Sequence, residues 1–217
     1  MQDSLFLFDI DGTLTDSVLT YHKVISIAMQ RLGIKDIDTN YDNYLHHTDS
    51  YALEYNYERN FGRKARLEQR DQMDDLLAQE MDNHPPIQEI LGAKTLLQSL
   101  AKNNIPVAFG TGAFPKATDI KMSSAGLVYR TEVLATSKTS ITREGFVLQA
   151  IDQAKSFYKI SNFSRIIAFG DGVWDLQTAQ NLNLDFVGVG NAKKQALIAN
   201  GCTNWIENFE NFDFKSI

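Results

Sequence analysis

The chain reads Phe8-Asp9-Ile10-Asp11-Gly12-Thr13 directly after the apolar run Leu5-Phe6-Leu7. The apolar run predicts a buried strand, and Gly12 allows the backbone to turn sharply where that strand ends. Because side chains alternate along a strand, we expect the carboxylates of Asp9 and Asp11 to point in the same direction. Two buried carboxylates this close repel one another unless a cation or a proton lies between them. The segment therefore predicts a chemical site at the end of the first strand.

Short apolar segments alternate with helical patterns over most of the remaining chain. Strands are expected over 106–110, 128–135, 165–169 and 185–189, and helices over 90–103, 114–125, 144–157 and 175–182. This alternation is typical of a parallel, doubly wound sheet covered by helices. The predicted fold class is therefore α/β, with a Rossmann-like core.

Residues 16–85 break this alternation, because their pattern is helical throughout. Three helices are expected there, over 17–32, 50–61 and 64–82. Pro85-Pro86 then interrupts the helical pattern, since proline cannot continue a helical hydrogen-bond ladder. We therefore expect a small all-helical cap domain over 16–85, inserted after the first strand into a core made of 1–15 and 86–217.

Composition narrows the functional classes. The 217 residues include 21 Lys and Arg against 27 Asp and Glu, a formal net charge of −6, without the basic excess typical of nucleic-acid binders. No apolar stretch is long enough to span a membrane, and no N-terminal signal pattern is present. We therefore expect a soluble cytoplasmic protein that acts on a small molecule. The single cysteine, Cys202, is assigned no role.

The residue types after the first strand suit phosphoryl transfer. Asp9 is ionised near neutral pH, so it could attack phosphorus without a general base and form an aspartyl-phosphate. Asp11 could protonate the leaving oxygen and then deprotonate the water that hydrolyses the intermediate. Gly12 and Thr13 are expected to turn the backbone so that both carboxylates face the ligand.

Two further segments could bind the transferred phosphoryl group. Thr111-Gly112-Ala113 follows a predicted strand and precedes a helix, so its hydroxyl and free amides could hold phosphate oxygens. Arg143 opens another helix and could neutralise charge on that group. Lys138, earlier in the same loop, is the competing cation. The sequence favours Arg143 without excluding Lys138.

Acidic residues at the strand ends predict a metal site. Asp171 and Asp175 follow the strand expected over 165–169 and could complete a magnesium site with Asp9. Mg²⁺ prefers a few carboxylates, a carbonyl, waters and a substrate phosphate in an octahedral arrangement. Mg²⁺ is therefore the predicted cofactor.

In these segments the chain resembles the haloacid dehalogenase-like (HAD) superfamily, and within it the phosphoglycolate phosphatase-like group with a helical cap. The first family motif, Asp-x-Asp-Gly-Thr, matches Asp9–Thr13, and the second, a Thr or Ser after a strand, matches Thr111. The fourth, Gly-Asp-x-x-x-Asp, matches 170–175. The third motif is usually Lys, whereas this chain has Arg143 and is similar to a branch that uses Arg.

The resemblance implies a magnesium-dependent phosphatase of a small phosphorylated metabolite. It implies that Asp9 is the nucleophile and that Asp11 is the acid/base, with its carbonyl on the metal. His46-His47-Thr48-Asp49 resembles a Gly-x-Thr-Asp turn in related caps, so His46 and His47 either face the substrate or lie on plain surface. Two alternatives remain open: a phosphotransferase such as a sugar-phosphate mutase, and a binding protein whose catalytic activity has been lost.

Overall fold

The computed structural model describes residues 3–217 and contains a six-stranded, wholly parallel sheet. The strands are Ser4–Phe8 (β1), Val107–Thr111 (β2), Leu134–Thr136 (β3), Arg165–Gly170 (β4), Asp185–Val189 (β5) and Trp205–Ile206 (β6). Their order in the sheet is β3-β2-β1-β4-β5-β6. The prediction of an α/β, Rossmann-like fold is confirmed, since this is the strand order of that fold.

Helices connect the strands and also form the inserted segment. They are Val18–Arg31 (α1), Asp49–Phe61 (α2), Leu67–Asp82 (α3), Ala93–Lys102 (α4), Pro115–Ser124 (α5), Arg143–Tyr158 (α6), Val173–Asn181 (α7) and Lys194–Ala199 (α8). Helices α1, α2 and α3 occupy the segment expected to be helical. Helix α3 begins three residues later than expected, at Leu67 instead of Lys64, with the Gln69 side chain accepting a hydrogen bond from the Arg66 amide just before it.

The strand expected over 128–135 was wrong over most of its length. Only Leu134–Thr136 pairs with the sheet, while Thr131–Val133 forms a turn of 3-10 helix and Val128 is 84% exposed. The apolar residues at the start of this segment therefore do not mark a buried strand. Leu127 is instead buried under the end of α5, where its amide donates to the Met122 carbonyl.

Strand β1 lies at the centre of the sheet, between β2 and β4. All five of its residues are buried, and the Phe8 ring stacks on Phe169 of β4 with their centroids 4.6 Å apart. The order of the strands along the chain reverses beside β1, and the crevice at such a point is where ligands bind in open α/β sheets. The residues that follow β1, β2 and β4 are thereby brought to one edge.

Helices α1, α2 and α3 share a second hydrophobic cluster, separate from the one around the sheet. It contains Val24, Leu53 and Met73, and extends to Ala113 and Phe114 at the start of α5. The inserted helices therefore pack on the segment that follows β2, beside the ligand edge of the sheet. None of the helices described in 3–217 combines the length and the apolar character that crossing a bilayer requires.

Candidate active site

A tight turn after β1 places two carboxylates at the ligand edge of the sheet. The amides of Thr13, Leu14 and Thr15 all donate to the Ile10 carbonyl, which folds the chain back on itself. Gly12 has φ +79°, and a Cβ there would lie 2.5 Å from Oδ2 of Asp171. Glycine therefore allows both the turn and the close approach of the Asp171 carboxylate.

Arg143 lies at the start of α6 and joins two of the predicted acids. Its guanidinium donates to Oδ1 of Asp9 at 3.1 Å and also to Oδ1 of Asp175, while its other terminal nitrogen donates to the His47 carbonyl at 3.1 Å. Arg143 is 6% exposed. A buried guanidinium needs such partners, because an unpaired buried charge is very costly.

Three buried carboxylates lie close enough together to share a metal ion. Ligand oxygens of Asp9, Asp171 and Asp175 all lie within 4.8 Å of one another. Burial, together with the neighbouring Asp175 carboxylate, raises the pKa of Asp9 well above its usual range, and burial raises the pKa of Asp171 to about 6. The cluster is therefore short of positive charge, and its hard oxygen donors fit Mg²⁺.

The Asp11 carboxylate is held by a buried lysine that the sequence analysis missed. Nζ of Lys121, on α5, lies 2.8 and 2.6 Å from the two Asp11 oxygens and 3.6 Å from the centre of the Tyr21 ring. Lys121 is 0% exposed, and Ser17 also donates to Asp11. A lysine among the apolar positions of the predicted helix, beside Ala117 and Met122, was the signal that could have revealed it.

Thr111 and the two residues after it line the same cavity as Asp9. The Thr111 hydroxyl is buried and accepts a hydrogen bond from the Ala113 amide at 3.1 Å. A Cβ on Gly112 would lie 2.7 Å from the His47 carbonyl oxygen, so glycine lets the inserted segment approach the sheet closely. This segment forms part of the wall of a cavity.

That cavity, here called the central cavity, has a volume of about 160 Å³. One end is lined by the predicted site residues, namely Asp9, Asp11, Thr111, Gly112, Ala113, Arg143 and Asp171. The other end is lined by the inserted helices and the segments that join them, which contribute tyrosines and apolar side chains. Gly12, Thr13 and Asp175 adjoin it without lining it, and the Thr13 hydroxyl donates to Asp9 at 3.4 Å.

Asp49, at the start of α2, joins the inserted helices to the core. Its amide donates to the Gly112 carbonyl at 2.8 Å, and its Oδ2 accepts from the Phe114 amide at 2.9 Å and from the Tyr21 hydroxyl. The flanking Thr48 donates to the Ile141 carbonyl at 2.8 Å. Burial raises the pKa of Asp49 to about 7.

The structure does not bring Lys138 to the central cavity. Its ammonium lies 2.8 Å from Asp71 and 3.0 Å from Asp74, both on α3, so it pairs with the inserted helices instead of with Asp9. His47 lines the cavity and stacks on Trp174 with ring centroids 4.3 Å apart. His46 does not line it and contacts the edge of Tyr51.

Solved structures of other proteins share this fold. A HAD hydrolase of family IA, variant 3, from Entamoeba histolytica has a TM-score of 0.72 at 16% identity, over 98% of this chain and 96% of that one. A hydrolase from Pseudomonas syringae has a TM-score of 0.68 at 20% identity, over 96% and 95%. CbbY from Rhodobacter sphaeroides, solved in complex with phosphate, has a TM-score of 0.67 at 13% identity, over 95% of each chain.

A search of curated proteins found no match to the chain. The family model described as haloacid dehalogenase-like hydrolase matches residues 4–183, which include every segment that contributes to the acidic cluster. The chain therefore belongs to the haloacid dehalogenase-like hydrolases and is an enzyme of that superfamily.

Proposed function

We propose that the chain is a magnesium-dependent phosphatase of small phosphomonoesters, of the phosphoglycolate phosphatase-like group, acting in the cytoplasm. The observation that carries the proposal is the contact of Arg143 with both Asp9 and Asp175, beside a third buried carboxylate. This arrangement gives a nucleophile, a fixed cation and a set of metal ligands at one end of the central cavity. It supports the choice of Arg143 over Lys138.

In the proposed reaction a carboxylate oxygen of Asp9 attacks the phosphorus. The bond from phosphorus to the alcohol oxygen breaks, and Asp11 gives its proton to the departing alcohol. Asp11 then takes a proton from water, which attacks the aspartyl-phosphate, breaks its bond to Asp9 and releases inorganic phosphate. Lys121 and Ser17 hold the ionised form of Asp11, which acts as the base in the second step.

The other residues would stabilise the charge of the transferring group. Arg143 and the Thr111 segment would hold the phosphoryl oxygens. Asp9, Asp171 and Asp175 would hold Mg²⁺, together with the carbonyl of Asp11. When bound, the metal ion neutralises negative charge on the phosphoryl group. Residues 16–85 would act as the cap, with His47 facing the substrate.

The test is release of inorganic phosphate from a panel of small phosphomonoesters, measured with Mg²⁺ and with excess chelator. We expect release with Mg²⁺ and a loss of at least about 100-fold when the metal is removed, because several kcal/mol of charge stabilisation is lost. Transfer to a second hydroxyl without release would indicate a phosphotransferase. Binding of phosphate esters without turnover would indicate a protein that only binds them.

Replacing Lys138 by Ala tests the choice of cation. We expect kcat/KM to stay within about threefold, since Lys138 pairs with α3 and does not line the central cavity. We expect the free energy of unfolding to fall by about 1–3 kcal/mol because Asp74 stays buried without its cation. Steady-state kinetics and thermal unfolding measure the two effects. A loss of kcat with unchanged stability would instead place Lys138 in catalysis.

A further inference from the structure

The end of the central cavity that the inserted helices line is where the alcohol part of the substrate would lie. Beside Asp49 it is lined by Tyr21, Tyr41, Tyr44 and Ile25. The cavity of about 160 Å³ has room for on the order of ten water-sized groups. A phosphate takes about half of that space, which leaves room beside Asp49 for the alcohol part of a small substrate.

The cations near the cavity are already paired. Among the described residues that line it, the positively charged side chains are Arg143 and Lys193. Arg143 contacts Asp9 and Asp175, and Lys193 lies 2.8 Å from Asp171. Lys121, just behind the lining, is fully buried on Asp11. Among the described residues that line the cavity, none of the Lys or Arg side chains belongs to α1, α2 or α3.

Asp49 instead places a carboxylate at this end. Both hydrogen bonds that the described residues donate to its carboxylate end on Oδ2, from Tyr21 and from the Phe114 amide. Oδ1 is therefore the atom that could accept a hydrogen bond from a substrate. An anionic group at this end of the cavity would meet the Asp49 carboxylate, tyrosine rings and His22, whose pKa is lowered by burial so that its imidazole is neutral at pH 8. The Lys121 ammonium acts on Asp49 from behind the lining but is already paired with Asp11. In a site of low dielectric constant, repulsion by the Asp49 carboxylate is strong.

We infer that Asp49 selects substrates by charge: the enzyme takes monophosphates of small alcohols that carry a hydroxyl or amino group, and rejects those with a second anionic group. The inference rests on the proposed phosphatase function. By contrast, a variant of CbbY was solved in complex with xylulose-(1,5)bisphosphate, a ligand that carries two phosphates.

Three substrates of nearly equal size test the inference: 2-aminoethyl phosphate, 2-hydroxyethyl phosphate and 2-phosphoglycolate, which carry an ammonium, a hydroxyl and a carboxylate. At pH 8, above the pKa of Asp49, we expect kcat/KM for 2-phosphoglycolate to be at least about tenfold below that for the other two. Equal or better hydrolysis of 2-phosphoglycolate would overturn the inference.

Asp49→Asn isolates the charge, because one amide oxygen can accept both hydrogen bonds that Oδ2 accepts. We expect the ratio of kcat/KM for 2-hydroxyethyl phosphate to kcat/KM for 2-phosphoglycolate to fall at least about fivefold in this variant. Asp152 is an exposed acid on α6, and Asp152→Asn should leave that ratio unchanged. A preference that persists in Asp49→Asn would contradict the role of Asp49. Thermal unfolding of both variants verifies that they are folded.

4-Nitrophenyl phosphate distinguishes a failure of the proposed phosphatase function from a failure of the inference about Asp49. Release of nitrophenol and phosphate from it supports the phosphatase proposal whatever the outcome with the three matched substrates. If none of the four compounds releases phosphate with Mg²⁺ present, the proposed function fails, and the inference about Asp49 fails with it.

Discussion

Asp9→Asn is expected to abolish phosphate release, with kcat lowered by at least about 10³-fold, because an amide oxygen is a far weaker nucleophile than a carboxylate. The variant should still fold, since its amide oxygen can accept from Arg143 or Thr13. Burial and the Asp175 carboxylate both disfavour the charged form of Asp9, so a neutral side chain also relieves repulsion. Without metal we therefore expect a melting temperature no lower than that of the wild type.

Acid quenching followed by mass spectrometry distinguishes the role of Asp9 from a loss of substrate binding. The wild-type protein, stopped during turnover, should yield a phosphorylated peptide that contains Asp9, and the variant should not. Asp152→Asn provides the matched control, because the same change on an exposed acid should leave kcat unaltered. Activity of Asp9→Asn within tenfold of the wild type would eliminate the covalent mechanism.

The sheet and the acidic cluster could be predicted because their signals are local. An apolar run that leads into Asp9 and Asp11 fixes a strand and the turn after it within ten residues, and Asp171 with Asp175 repeats that arrangement. The carboxyl ends of parallel strands must meet at one edge, so the acids were expected to meet as well. The strand expected over 128–135 was wrong over most of its length because an apolar residue need not be buried: Val128 is 84% exposed, and the chain joins the sheet only at Leu134.

The contacts that could not be predicted join residues distant in sequence. Lys121 pairs with Asp11 across 110 positions, and Asp49 accepts from Phe114 across 65. Lys138 lies in the loop before α6 and Arg143 is the first residue of that helix, and their spacing does not say which cation turns towards Asp9. Their partners are decided by the position of α3, whose Asp71 and Asp74 hold Lys138. Such pairings follow from how the helices pack on one another and on the sheet.

Arg143→Met is expected to lower the free energy of unfolding by about 3–5 kcal/mol without metal, since it leaves Asp9 and Asp175 buried without their shared cation. We also expect kcat to fall at least about 100-fold, because a fixed positive charge on the phosphoryl group is lost. Arg143→Lys keeps a charge but loses the planar fork, so it should recover part of both quantities. Chemical unfolding and steady-state kinetics measure them.

The destabilisation should depend on both metal and pH if Arg143 acts by neutralising this cluster. Arg143 lowers the pKa of Asp9, so its removal raises that pKa further in the folded protein, whereas the unfolded value stays near 3.8. Above that value both folded proteins bind more protons than the unfolded chain, and in the variant this excess extends to higher pH. The stability of the variant should therefore fall further below that of the wild type as the pH rises past the folded pKa of Asp9 in the wild type. Mg²⁺ should restore more stability to the variant than to the wild type, because a bound divalent cation supplies the missing charge. A loss of stability that does not change with pH and is unaffected by Mg²⁺ would show that Arg143 contributes through packing alone, and the electrostatic role proposed for it in phosphoryl transfer would lose its basis.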